Sequence, residues 1–239
     1  MENAPQVGAG SRPRLESEWT SLYRVAGIAA AVAALLTPIT IGVFIAWPPP
    51  YGGSADEWFR LYQDNPLLGL MSLDLGFVVI NVVMIPIVLG LYVALRRRSP
   101  SWMLFAAGLF FVGVAGFFAS NPSIEMLSLS DKARIAGESQ QVALAGAGEA
   151  LLATFEGTAF HVNYILGQTA GILIGLVMFR AGVFSKATAR LMIAGNALGF
   201  GLYVPVVGLP LSAFSGVVLW VWFLVVSRGF FRLARSQTI

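Results

Sequence analysis

The sequence predicts an all-α membrane protein: a polytopic helical bundle of about six transmembrane helices, both termini cytoplasmic, with short interfacial helices on the outer side. Three observations carry this prediction. Hydrophobic residues make up 57% of the 239 and charged residues only 11%, against roughly 25% charged in an average soluble protein. Apolar runs of about 20 residues, enough to cross a hydrocarbon core of about 30 Å as helix, recur with no ionised residue at their centres. Basic residues gather at alternate connections, the asymmetry that fixes orientation in the bilayer. Spanning strands would instead alternate apolar and polar residues over about 10 positions, and no such segments occur.

The first span, residues 22–46, follows a polar start and exceeds the roughly 7–15 residues of a signal-peptide core, so it reads as an uncleaved anchor. It ends at Trp47-Pro48-Pro49-Pro50-Tyr51, where consecutive prolines cannot continue a helix and the aromatics suit a headgroup layer. Residues 54–64 read as an interfacial helix capped by Ser54, with Trp58, Leu61 and Tyr62 on one face. The remaining spans are 66–95, 102–119, 150–179, 189–206 and 209–227. Between the third and fourth, Ser130-Asp131-Lys132-Ala133 signals a helix start, and 139–150 is expected to run on into the fourth span. The domain reading is a cytoplasmic tail at 1–21, one transmembrane domain at 22–229 with outer segments 47–65 and 120–149, and a cytoplasmic tail at 230–239.

Arg12, Arg14, Arg24, Arg96, Arg97, Arg98, Arg180, Lys186, Arg190, Arg228, Arg232 and Arg235 fall on one side. Those are 12 of the 15 basic residues, which sets both termini inside a cytoplasmic membrane. The same charge logic accounts for a pI near 9.5 without invoking nucleic acid. The chain has no cysteine, which excludes disulfides, thiolate metal ligands and cysteine nucleophiles. With a single histidine as well, no metal site or cofactor is expected. No nucleophile elbow, phosphate-binding glycine loop or H-E-x-x-H run occurs.

Chemistry, if present, rests on polar residues inside the spans, because such groups are costly in lipid and turn toward protein or water. On continuous helices Asp74 and Asn81 share a face, and Glu149, Glu156 and Asn163 repeat at sevens beside His161, Tyr164 and Gln168. Gly167, Gly171 and Gly175 follow the same arc, and Gly195 and Gly199 flank Asn196 in the fifth span, small-residue spacings that let helices approach closely. The fourth span therefore reads as the central helix, with Asp74, Asn81, Glu156, His161, Asn163 and Gln168 forming an outer polar cluster. The opposing reading is that these groups only hydrogen-bond one helix to another.

The run Gly148 to His161 (GEALLATFEGTAFH) resembles a family of bacterial membrane proteins of uncharacterised activity, domain of unknown function 4386. So do Leu22-Tyr23-Arg24-Val25-Ala26-Gly27, Leu73-Asp74-Leu75 with Asn81, Ser120-Asn121-Pro122 and Phe184-Ser185-Lys186-Ala187-Thr188. The resemblance spans nearly the whole chain. It implies a six-span bacterial protein and brings no activity with it.

Three functions stay open on the sequence. The leading one is a non-enzymatic protein whose outward polar cavity binds or passes a small molecule, an ion or a lipid headgroup. The second is a membrane-embedded enzyme acting on lipid, with Asp74, Glu156 and His161 as acid and base. The third is a structural or regulatory subunit packing through its glycines against a second copy or a membrane partner.

Overall fold

The computed structural model describes residues 12–236, with side-chain surroundings from residue 19 onward except at Leu209. Residues 1–11 and 237–239, parts of the two expected tails, lie outside the described residues. Among the described residues the structure is helical and has no strand. The helices are α1 Arg12–Ala46, α2 Ala55–Asp64, α3 Pro66–Ser72, α4 Leu75–Leu95, α5 Pro100–Ser120, α6 Ser123–Ile135, α7 Glu138–Phe155, α8 Thr158–Ala181, α9 Lys186–Gly199 and α10 Gly208–Ser236. A 3-10 turn, Phe200–Tyr203, continues α9. Five stretches are long and apolar enough to cross a membrane: Trp19–Ala46, Leu75–Leu95, Pro100–Ile135, Glu138–Ala181 and Pro210–Ser236. The predicted fifth span, 189–206, is not among them, because its α-helix has only 14 residues.

Six long elements form a closed ring in the order α1, α4, α5, α8, α9, α10 and back to α1. Alanine makes the α1 seams possible. Ala26, Ala30 and Ala33 are fully buried and sit in one core with Ile87 and Leu91 of α4 and Trp222, Val226 and Phe230 of α10. Small side chains let backbones come close, so dispersion and polar contacts between helices accumulate where lipid offers no hydrophobic drive. Pro38 inside α1 removes one backbone donor and leaves the Ala34 carbonyl without its helical partner. Trp220 Nε1 of α10 donates to that oxygen at 2.8 Å.

At one end the turns carry arginines. Arg96 lies over the rings of Trp19 (5.2 Å) and Tyr92 (5.9 Å), and Lys186 and Arg190 both lie over Phe179 (5.8 Å each). At the other end α2, α3, α6 and α7 build a cap with its own core of Trp58, Phe59, Tyr62, Leu73, Met126, Leu152 and Phe155. A helix forms where the sequence predicts one at 54–64, and Trp58 (2% exposed) and Tyr62 (1%) are buried in this cap. Tyr62 Oη donates to the Ser123 carbonyl (2.9 Å), Gln63 to that of Ser130 (3.0 Å), and Ser130 Oγ to that of Phe59 (3.0 Å). Ser130 is thus an interior residue of α6 and starts no helix. Its hydroxyl bonds across to α2.

The predicted boundaries shift in several places. The first span starts earlier, since α1 begins at Arg12 inside the expected tail, and α10 runs to Ser236 through most of the expected C-terminal one. The second span, 66–95, breaks at Leu73-Asp74. The expected helix at 139–150 does run on into the fourth span, 150–179, as α7, but that span breaks at Glu156-Gly157, where α7 has ended at Phe155. Glycine is a poor helix former, and Gly157 takes up extended backbone (φ −86°, ψ −157°) ahead of α8.

Candidate functional site

The α3–α4 break is built by Asp74. Its backbone is left-handed (φ 63°, ψ 19°), a conformation that Asp tolerates better than most residues and that costs of order 1–3 kcal/mol where the surroundings impose it. The Asp74 amide turns back to Met71 O (3.2 Å) and its carbonyl accepts from Val78 N (2.9 Å). Asn121, at the end of α5, donates from Nδ2 to the Leu73 carbonyl (2.8 Å) while its Oδ1 accepts from Ser123 N (3.2 Å) and Ser123 Oγ (2.6 Å). One amide therefore satisfies two chain reversals.

Two polar side chains meet at this break: Ser72, 1% exposed, whose buried hydroxyl has no partner among the described residues, and Asp74, 9% exposed, whose carboxylate is in no side-chain hydrogen bond among them. Thr40 of α1 is also buried, and its hydroxyl lies against Gly76 in the first turn of α4. Tyr51 lies over the same end of the bundle, stacked on Phe44 (6.4 Å) and edge-on to Trp58 (6.1 Å). Partial desolvation, then the charge of Asp74, then that of Glu156, push the Tyr51 phenol above its ordinary pKa. Both carboxylates thus act on one hydroxyl.

The other predicted site residues are not joined to this pair. Among the described residues no hydrogen bond links any two of Asp74, Asn81, Glu156, His161, Asn163 and Gln168. Asn81 Nδ2 donates to Phe77 O within its own helix (3.0 Å). Asn163 lies against Gly113 of α5, and Gln168 against Gly199 at the end of α9 with its Oε1 buried and unpaired. His161 Nδ1 stands 3.0 Å from Tyr203 Oη. Tyr164 Oη donates to Gly199 O (2.9 Å) and meets Ser212 Oγ (2.7 Å). The sevenfold spacing of Glu149, Glu156 and Asn163 loses its meaning because α7 ends before Glu156 and α8 begins after it. Glu149 Oε1 instead accepts from the Ala55 amide at the start of α2 (2.6 Å). It takes the capping role that the sequence assigns to Ser54, whose side chain makes no cap bond.

The glycines divide in the same way. Gly171 meets Asn196, Gly175 meets Ile193, Gly199 meets Gln168 and Gly195 meets Leu219, while nothing lies within 4 Å of where a side chain at Gly167 would begin. The α8 stripe thus packs on α9 through Gly171 and Gly175, and Gly167 takes no part.

Ser72, Tyr51, Asn121 and Tyr203 are not among the site residues that the sequence predicts. Ser72 stands two residues before Asp74 and Asn121 precedes a proline, signals that point to a break only once the helix is known to stop there. No group of three or more His, Cys, Asp or Glu residues able to hold a metal occurs among the described residues. Comparison of the chain with protein-family models, with curated proteins and with solved structures finds no match.

Proposed function

We propose that this chain is a six-span, non-enzymatic protein of the bacterial cytoplasmic membrane, both termini inside, which binds a small cation or protonated amine at the α3–α4 break. The observation that carries the reading is Asp74: a carboxylate nine-tenths buried at the mouth of an apolar helix, left-handed, and without a hydrogen bond among the described residues. Ionisable groups beside apolar spans are costly enough that they mark ion or substrate sites by default, and interrupted helices supply backbone and side-chain oxygens to such sites. Oxygen donors from Asp74, Ser72 and Thr40 suit a hard cation. Glu156 adds negative potential beside Tyr51.

Six crossings are supported by length. The 14 residues of α9 rise about 21 Å, and the four of the 3-10 turn about 8 Å more, close to the hydrocarbon thickness of about 30 Å. Kinship with domain of unknown function 4386 belongs to the same proposal, on the residues quoted above. Acid-base catalysis on lipid has less support, since the His161 ring is engaged by Tyr203 and hydrogen-bonded to no carboxylate among the described residues.

The test is a thermal titration of the purified full chain in detergent with sodium, potassium or methylammonium chloride at constant ionic strength. A ligand that binds only the folded state raises the unfolding temperature as it saturates. One of the three is expected to do so for wild type, Asp74→Asn to abolish the shift, and Glu156→Gln to reduce it. Indifference to all three cations, or an unchanged shift in Asp74→Asn, overturns the reading. The topology predicts that Asp131→Cys reacts with an impermeant maleimide on intact cells and Arg228→Cys only after permeabilisation. The reverse pattern rejects it.

A further inference from the structure

At the basic end, a cleft of about 430 Å³ opens between the α4–α5 turn and the last turns of α8. Its α8 wall is Leu173, Leu176, Val177 and Arg180, a spacing of i, i+3, i+4 and i+7 that places all four on one helical face. The opposite wall is Arg98, Ser99 and Trp102. The cleft therefore has two guanidinium groups at its rim, a hydroxyl between elements, an apolar floor, and no acidic residue among the described residues that line it. Trp102 is 56% exposed and Leu176 42%, so the floor is open sideways, away from the bundle. Both arginines are exposed.

We infer that this cleft is a binding site for an anionic phospholipid, its phosphate held between Arg98 and Arg180 and one acyl chain laid along Leu173, Leu176 and Val177. The chemistry selects that occupant over others. Guanidinium groups present a planar fork of donors that matches phosphate oxygens, and they accept it more readily than a hydrated ammonium would. A soluble anion would gain nothing from the leucine floor, and a neutral lipid nothing from the paired arginines. An indole at the rim suits the boundary between headgroups and chains. Basic pockets between membrane helices are a recurrent way of holding anionic headgroups. The site is separate from the Asp74 break, at the other end of the bundle, and does not depend on the cation reading.

Native mass spectrometry of the full chain released from mixed micelles tests it, with equal amounts of phosphatidylglycerol and phosphatidylcholine of the same chains. Wild type is expected to retain phosphatidylglycerol in preference. Arg98→Gln with Arg180→Gln is expected to weaken that retention about tenfold or more, whereas Arg228→Gln, a basic residue outside the cleft, leaves it unchanged. Leu176→Ser with Arg98 and Arg180 intact is expected to lower phosphatidylglycerol retention too. Equal retention of both lipids by wild type overturns the proposal even if the double variant fails to fold. Displacement by millimolar inorganic phosphate overturns it as well, since the site would then be one for the ion alone. Loss of preference in Arg228→Gln would reduce the effect to the net charge of that end.

Discussion

Trp220 Nε1 donates to the carbonyl oxygen of Ala34 at 2.8 Å, the very carbonyl that Pro38, lacking an N–H, leaves unpaired within α1. A proline defect in one helix is thereby repaired by an indole of another, which ties α1 to α10 at a fixed height. Burying an unpaired carbonyl costs about 1–3 kcal/mol, so Trp220→Phe is expected to destabilise by about that amount in denaturant unfolding of the detergent-solubilised chain. In the Pro38→Ala background a backbone N–H at position 38 serves Ala34, and the cost of Trp220→Phe should shrink. An equal cost in both backgrounds would mean that the indole contributes by packing alone.

Asn121 governs the α3–α4 break from a distance of 48 residues in sequence. Asn121→Ala frees the Leu73 carbonyl and the Ser123 amide, both on buried residues, and should cost about 1–3 kcal/mol. Hydrogen exchange at the Ser123 amide should quicken in step with the loss of stability. Unchanged exchange there would show that another group already serves it.

The start of α2 depends on Glu149, and Ser54 gives it no side-chain cap. A carboxylate at a helix N-terminus is typically worth about 1 kcal/mol. Glu149→Ala is expected to lower the unfolding free energy by about that much, and Ser54→Ala to leave it unchanged. If Ser54→Ala proves the more damaging, the cap forms from the residue nearer in sequence.

Gly171 and Gly167 make a matched pair four residues apart on α8. A side chain at 171 runs into Asn196, whereas one at 167 meets open space. Gly171→Ala should therefore destabilise by about 1–3 kcal/mol through overpacking, with Asn196→Ala recovering part of the loss. Gly167→Ala should be neutral or gain up to about 1 kcal/mol from helix propensity. Thermal unfolding of the three variants decides it, and equal losses at 167 and 171 would place both glycines in a contact.

Hydropathy and charge alone determined the all-helical character, the membrane-length apolar runs and the gathering of arginines, because each follows from local composition against the thickness of a bilayer. The amphipathic α2, with Trp58 and Tyr62 on one face, was legible for the same reason, since periodicity needs no partner. The site was legible only in part. Asp74 stood out as an acid in an oily run, but reading 66–95 and 150–179 as unbroken helices assigned Glu149, Glu156 and Asn163 to a face that does not exist. Where a helix stops or starts depends on whether something else satisfies its freed carbonyls and amides, and here that something is far along the chain: Asn121 for Leu73 and Glu149 for Ala55. A wheel drawn from sequence assumes that every backbone bond is made within the helix. Only the tertiary structure supplied the distant partner, Asn121, that serves the turn at Asp74, and so decided which polar groups stand together.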